Sequence, residues 1–103
     1  MEIIWTNIAR ITYLEILENL QKIWTLKEIQ AFHQLTQRNL SLISSGKIFN
    51  PSIHANSEIR RVVIHRNVTL YYKVVKSKNC IYLITFFNNR MNPAILKRFI
   101  DSQ

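Results

Sequence analysis

Ile59-Arg60-Arg61-Val62-Val63-Ile64-His65-Arg66-Asn67-Val68-Thr69-Leu70-Tyr71-Tyr72-Lys73-Val74-Val75-Lys76-Ser77-Lys78-Asn79-Cys80-Ile81-Tyr82-Leu83-Ile84-Thr85-Phe86-Phe87 is the stretch on which the fold turns. It holds three runs rich in Val, Ile, Tyr and Phe: Ile59 to Arg66, Val68 to Lys76 and Cys80 to Phe87. The spacers around Asn67 and over Ser77-Lys78-Asn79 are short and polar enough for hairpin turns, so the runs predict an antiparallel meander. In its middle strand the pleat sends Val68, Leu70, Tyr72 and Val74 to one face and Thr69, Tyr71, Lys73 and Val75 to the other. The first set requires an apolar cover. The second, with a phenol beside an ammonium, suits an open and partly wet face.

The cover comes from upstream. Glu2 to Trp5 is a short β-favouring run, and Thr6-Asn7 after it can accept hydrogen bonds from the free amides of a helix start. From Ile8 to about Trp24, Ala9, Tyr13, Ile16, Leu17, Leu20 and Trp24 recur on one helical stripe. Thr25-Leu26-Lys27-Glu28 has the spacing of a capping box and predicts a second helix, with Ile29, Phe32, Thr36, Leu40 and Ile43 facing inward. Ser44-Ser45-Gly46 ends that helix, because Gly accepts the left-handed conformation of a C-terminal cap. Lys47 to Glu58 has no period and reads as a loop. Downstream, Asn88 to Pro93 breaks the strand pattern, and Pro93 suits the first turn of a terminal helix over Ala94 to Ile100. The expected fold is α+β: an N-terminal strand, an antiparallel helical hairpin on an antiparallel sheet of about four strands, and a short C-terminal helix. Residues 1–103 form one domain.

Composition agrees with a folded chain, since 48 % hydrophobic residues with one Gly and two Pro can build one core. The formal charge is +8 and unevenly placed. Residues 1–58 balance five Lys/Arg against five Asp/Glu, whereas residues 59–103 set nine against Asp101 alone. Such an excess implies a polyanionic or acidic partner. Cys80 is the single cysteine and sits in an apolar run, so no intrachain disulfide forms and a reducing, cytoplasmic setting is expected. No export signal precedes the first helix, and Cys80 to Phe87 is too short to span a bilayer.

Two signatures resemble the RelE/ParE family of toxins from type II toxin–antitoxin systems. One is Ile59-Arg60-Arg61-Val62-Val63-Ile64-His65-Arg66-Asn67-Val68-Thr69-Leu70-Tyr71-Tyr72-Lys73-Val74, similar to the family's arginine-bearing strand, basic turn and following strand. The other is Leu83-Ile84-Thr85-Phe86-Phe87-Asn88-Asn89-Arg90-Met91-Asn92-Pro93-Ala94-Ile95-Leu96, similar to the ending of many ParE-like members. The resemblance covers nearly the whole chain and implies a cognate antitoxin, growth inhibition, and a role in plasmid stabilisation. RelE-like members cut mRNA in the ribosome with Lys, Arg and Tyr side chains, and ParE-like members are associated with poisoning DNA gyrase. Departures from the RelE-like set are Thr69 in place of an arginine, apolar Val62 and Ile64 in place of lysines, and Leu96 near the expected tyrosine. Arg90 does match. The resemblance therefore favours a ParE-like toxin acting on gyrase, the alternatives being a ribosome-dependent mRNA endonuclease and a nontoxic nucleic-acid-binding module.

RNA cleavage needs an acid–base group and cations to steady the transition state. His65, next to a turn, reads as a surface residue; His33, His54 and Cys80 show no metal-ligand spacing, so neither metal nor other cofactor is expected. No Gly-rich phosphate loop is present. Arg60 and Arg61 alternate across the sheet, so one faces the open side. Candidates for binding target or antitoxin are Arg60, Arg61, Tyr71, Lys73, Arg90 and Asn92, with Tyr71, Lys73 and Arg90 expected to share the open face. Tyr72, Trp5 and Trp24 read as core.

Overall fold

Thr6 begins the first helix by accepting the Ala9 amide, as an N-cap does. In the computed structural model, which describes residues 1–46, 50–53, 58–65 and 67–102, strand β1 (Glu2–Trp5) leads into helix α1 (Asn7–Gln21). Helix α2 (Leu26–Ser44) starts at a complete capping box of Thr25 and Glu28. Gly46, at φ +75°, follows its end in the left-handed conformation. Strands β2 (Ile59–His65), β3 (Val68–Val75) and β4 (Cys80–Asn88) form the expected meander, and helix α3 (Pro93–Asp101) closes the chain with Asn92 as its cap.

The sheet order is β1-β4-β3-β2. β1 pairs with β4 in parallel, Glu2 opposite Cys80 and Trp5 opposite Leu83, so the four-stranded sheet is mixed and not wholly antiparallel. The reason is connectivity. β1 and β2 are joined across the sheet through the helical hairpin, and the meander then returns β4 to β1 running in the same direction. At the other edge Asn50 to Ile53, within the stretch read as loop, lies along β2: the Ile53 amide donates to the Ile59 carbonyl at 3.0 Å and the Arg61 amide to that of Pro51 at 3.3 Å. Residues 47–49 and 54–57 of that loop, His54 among them, lie outside the described residues, as does Arg66.

The main core lies between the helices and one face of the sheet. Ala9, Tyr13, Ile16 and Leu20 of α1 and Phe32, Leu40 and Ile43 of α2 pack with Leu70, Tyr72, Ile81, Leu83 and Phe86. Trp5 stacks on Phe86 at 5.4 Å between ring centres. Each buried Leu, Ile or Phe among them contributes about 1.5–3 kcal/mol by leaving water.

β4 carries an extra residue relative to β3: Tyr71 faces Thr85 while Tyr72 faces Leu83, leaving Ile84 between them. This bulge puts Leu83 and Phe86 under the helices and turns Ile84 and Phe87 to the opposite face. Two threonines of the α1 segment hold it. Thr6 donates its hydroxyl to the Leu83 carbonyl at 2.7 Å, and Thr12 accepts the Phe86 amide at 3.0 Å. On the opposite face Leu96, Phe99 and Ile100 of α3 pack over Tyr71, Ile84 and Phe87. Half of the face expected to be open is thus roofed.

Candidate functional site

Register decides which candidate residues meet. Arg60 lies opposite Tyr72, and Arg61 lies opposite Tyr71. Arg60 therefore turns to the helix side, where it donates to the Asn50 carbonyl at 2.6 Å while the Tyr72 hydroxyl donates to the Asn50 side-chain oxygen at 2.7 Å. That arrangement anchors the segment before β2 and leaves little of Arg60 for a ligand. Arg61 points the other way and is exposed. Asn92 has its side-chain oxygen engaged by the Ala94 amide at 2.9 Å, so its place in the fold is that of a helix cap.

Tyr71, read as a side chain on an open face, is only 7 % exposed because α3 crosses it. One edge of its ring still meets a groove of about 340 Å³ lined by Ile53, Arg61, Tyr71, Leu96, Lys97 and Asp101. Its lining combines apolar side chains with the cations Arg61 and Lys97 and the carboxylate of Asp101. Lys73 is not part of it: it pairs with Ile59 and Tyr82 on the uncovered half of the same face. Arg90 is farther still, beyond Asn88, which pairs with Val68. From Val68 to Lys73 is five residues of strand, about 17 Å. The single cluster of Tyr71, Lys73 and Arg90 is not formed, because β4 carries Arg90 past the end of the sheet.

Arg90 instead joins a second cleft, of about 150 Å³, between the tip of the helical hairpin and the β2–β3 turn. The helix side is lined by Ile16, Asn19, Leu20, Ile23 and Trp24, and the strand side by His65, Asn67, Val68, Asn88 and Arg90. His65 is half-buried rather than a surface residue, with its ring edge-on to Trp24 at 4.5 Å. Trp24 and Trp5 both pack against the main core as read, and Trp24 also lines this opening. The strand side is well braced. The Asn89 amide donates to the Asn67 carbonyl at 2.7 Å, the Arg90 amide to the Asn88 side-chain oxygen at 3.0 Å, and the Thr69 hydroxyl to the Asn89 side-chain oxygen at 3.1 Å. Helical periodicity hid this cleft, since Trp24 continues the core stripe on paper while the helix itself ends at Gln21.

No known family's profile matches the sequence, and no curated protein is significantly similar to it. Among solved structures, the chain is similar to a metal-bound toxin from Helicobacter pylori, with a TM-score of 0.62 at 14 % identity. The match covers 87 % of this chain and 96 % of that one. The two share one fold. At that identity the likeness is one of architecture alone. Among the described residues of the present chain no group of three His, Cys, Asp or Glu is placed to hold a metal ion. No described helix is long and apolar enough to cross a membrane.

Proposed function

We propose that this protein is the toxin of a type II toxin–antitoxin pair, acting in the cytoplasm on an essential macromolecular target and neutralised by a cognate antitoxin. The observation that carries this reading is the chain-wide likeness in fold to a bacterial toxin, spanning nearly all of both chains. The charge of the second part of the sequence adds to it. DNA gyrase is the first candidate target, on the ParE-like ending from Phe86 to Leu96. The antitoxin is assigned to the groove beside α3, where apolar side chains beside Arg61 and Lys97 suit a segment carrying both leucine-like and acidic side chains.

Induction in a bacterial host, with DNA and protein synthesis followed by pulse labelling, tests the reading. Arrest with DNA synthesis failing first is expected for a gyrase poison; no arrest at all refutes the toxin role. Arg90→Glu is expected to abolish arrest. Arg61→Glu is expected to weaken binding of the antitoxin at least about tenfold, measured by calorimetry; unchanged affinity would remove the groove from the interface.

A second reading rests on a specific feature, His65 and Arg90 lining one cleft. A neutral imidazole can take the proton of a 2′-hydroxyl as that oxygen bonds to phosphorus, a guanidinium can steady the charge on the phosphate, and the 5′-oxygen that leaves can take its proton from water. Early collapse of protein synthesis with cuts in translated messages favours this reading, and loss of those cuts in His65→Gln assigns the proton transfer.

A further inference from the structure

The two edges of the sheet are finished differently. Along β2, Asn50 to Ile53 forms a short cover: Ser52 bridges to Arg60, the Ile53 amide donates to the Ile59 carbonyl and the Arg61 amide to that of Pro51. The opposite edge, β1, has no such cover among the described residues. Its parallel pairing uses alternate residues, since the Glu2 amide donates to the Asn79 carbonyl at 3.1 Å and the Thr6 amide to the Leu83 carbonyl at 3.3 Å. The amides and carbonyls of the odd-numbered residues therefore point out of the sheet. Those of Met1 are taken up by the end of α2: its ammonium donates to the Ser44 carbonyl at 2.9 Å, and the Ser44 hydroxyl donates to its carbonyl at 2.5 Å. Those of Ile3 and Trp5 have no bonding partner in the described part of the chain. Edge strands are commonly kept from pairing by a lysine, a proline or an inward-pointing charge. Glu2-Ile3-Ile4-Trp5 has neither lysine nor proline, and Glu2, its one charge, is exposed at its end.

A strand that satisfies this edge must present its own outward groups at the same alternate spacing, and a second copy of β1 does. Two copies related by a two-fold axis through Ile4 run antiparallel with Ile3 opposite Trp5, so each of these residues both donates to and accepts from the one it faces. Ile3 and Trp5 pack toward the main core, so Ile4 points to the other face, in register with Tyr82 of β4 and half-buried. Across the axis Ile4 meets itself, apolar on apolar. The charges fit as well. Glu2 comes opposite Thr6 of the second copy, at the start of a helix with no acidic residue in its first turn, where a carboxylate is favoured. We propose that this protein self-associates as a two-fold dimer through antiparallel pairing of β1, which joins the two sheets into one. The groove lined by Arg61 and Tyr71 lies toward the β2 edge, so each copy keeps it free. Because β1 spans only four residues, the contact is smaller than that of a permanent dimer and forms in proportion to concentration. The pairing follows from the fold and does not depend on the toxin reading.

Sedimentation equilibrium of the full-length protein, over roughly a hundredfold range of concentration, is expected to show a monomer passing into a dimer. Ile4→Lys sets like charges against each other across the axis at a position outside the main core. It is expected to weaken the dimer at least about tenfold in a protein that still melts cooperatively. Amide exchange reads the edge itself. Protection of the Ile3 and Trp5 amides is expected to rise with concentration, while that of Ile4, whose amide faces β4, stays constant. Ile4→Cys tests the register: Cβ atoms of residues directly opposite in such a pair lie about 4.5–5.5 Å apart, near enough for a disulfide after a small adjustment, so mild oxidation is expected to link two copies. Wild type, whose single Cys80 is buried, and Leu14→Cys, at a position 53 % exposed on α1, serve as controls and are expected to stay largely unlinked. A monomer throughout, a dimer that Ile4→Lys leaves intact, or equal linking by Ile4→Cys and Leu14→Cys overturns the proposal. Exchange at Ile3 and Trp5 that ignores concentration overturns it too, and leaves this edge to a strand of another protein.

Discussion

Thr12 does work for the fold that its polarity in an amphipathic helix does not advertise. Its hydroxyl donates to the Ile8 carbonyl at 2.7 Å and accepts the Phe86 amide at 3.0 Å, two residues past the bulge at Ile84. Thr12→Val keeps the shape and strands a backbone donor, at a cost of about 1–3 kcal/mol. Thr12→Ser is expected to recover most of it, and thermal melting of the pair separates the hydrogen bond from the packing. Two phenols set the response to alkali. Burial pushes the Tyr13 hydroxyl above its ordinary value of 10.0, against an opposing hydrogen bond from Thr36. Burial does the same to Tyr72, against the nearby Arg60 charge. A raised phenol binds its proton more tightly when folded, so the stability it contributes is complete below pH 10 and is lost as pH rises above it. Melting temperature is expected to fall beyond pH 10, and to fall less steeply in Tyr72→Phe; equal slopes would place the titration elsewhere. Tyr71 and Tyr72 differ in a way alternation does capture, since they take opposite faces. What alternation omits is that Tyr71 has a roof.

That roof is the least secured element. No α3 residue is fully buried, yet the helix covers Tyr71, Ile84 and Phe87 through Leu96, Phe99 and Ile100. Amide exchange is expected to be markedly faster in α3 than in β3 or β4, because a helix held by partly buried contacts opens without unfolding the sheet. Equal protection across the three would show that α3 belongs to the global unfolding unit. The capping box of α2 lies at the other extreme, and Thr25→Ala is expected to lower stability by about 1 kcal/mol, read from a denaturant midpoint. Caps, helix stripes and the three-strand meander were legible in the sequence because each rests on residues a few positions apart. The parallel pairing of β1, the Ile84 bulge and the docking of α3 were not, since each depends on partners brought from elsewhere in the chain. Leu83-Ile84-Thr85-Phe86-Phe87 is almost uniformly apolar and gives no sign of where its alternation slips. The candidate site was readable only in part for the same reason. Arg61 and Tyr71 do share a groove, whereas the grouping of His65, Trp24 and Arg90 requires the hairpin tip to meet a strand turn.

Over the whole molecule the positive charge is dispersed. Lys76 and Lys78 sit at the β3–β4 turn, Arg90 past the far end of β4, and Lys97 and Arg98 on α3. A straight duplex would meet only some of them at once, so nonspecific duplex binding is expected to be weak and lost by about physiological salt. Retention on a duplex column at that salt would instead argue for a continuous basic track. One more consequence follows from β1, whose neighbour β4 is made last among the strands. The Thr6 hydroxyl and its Leu83 partner are 77 residues apart in sequence. At about 5–20 residues per second of synthesis, β1 and the inner stripe of the helical hairpin wait roughly 4 to 15 s for the surface that will cover them. During that interval the nascent chain shows its aromatic core, Trp5 and Tyr13 included, to anything at hand. A binder already waiting at the ribosome would find an apolar target that the finished protein no longer offers.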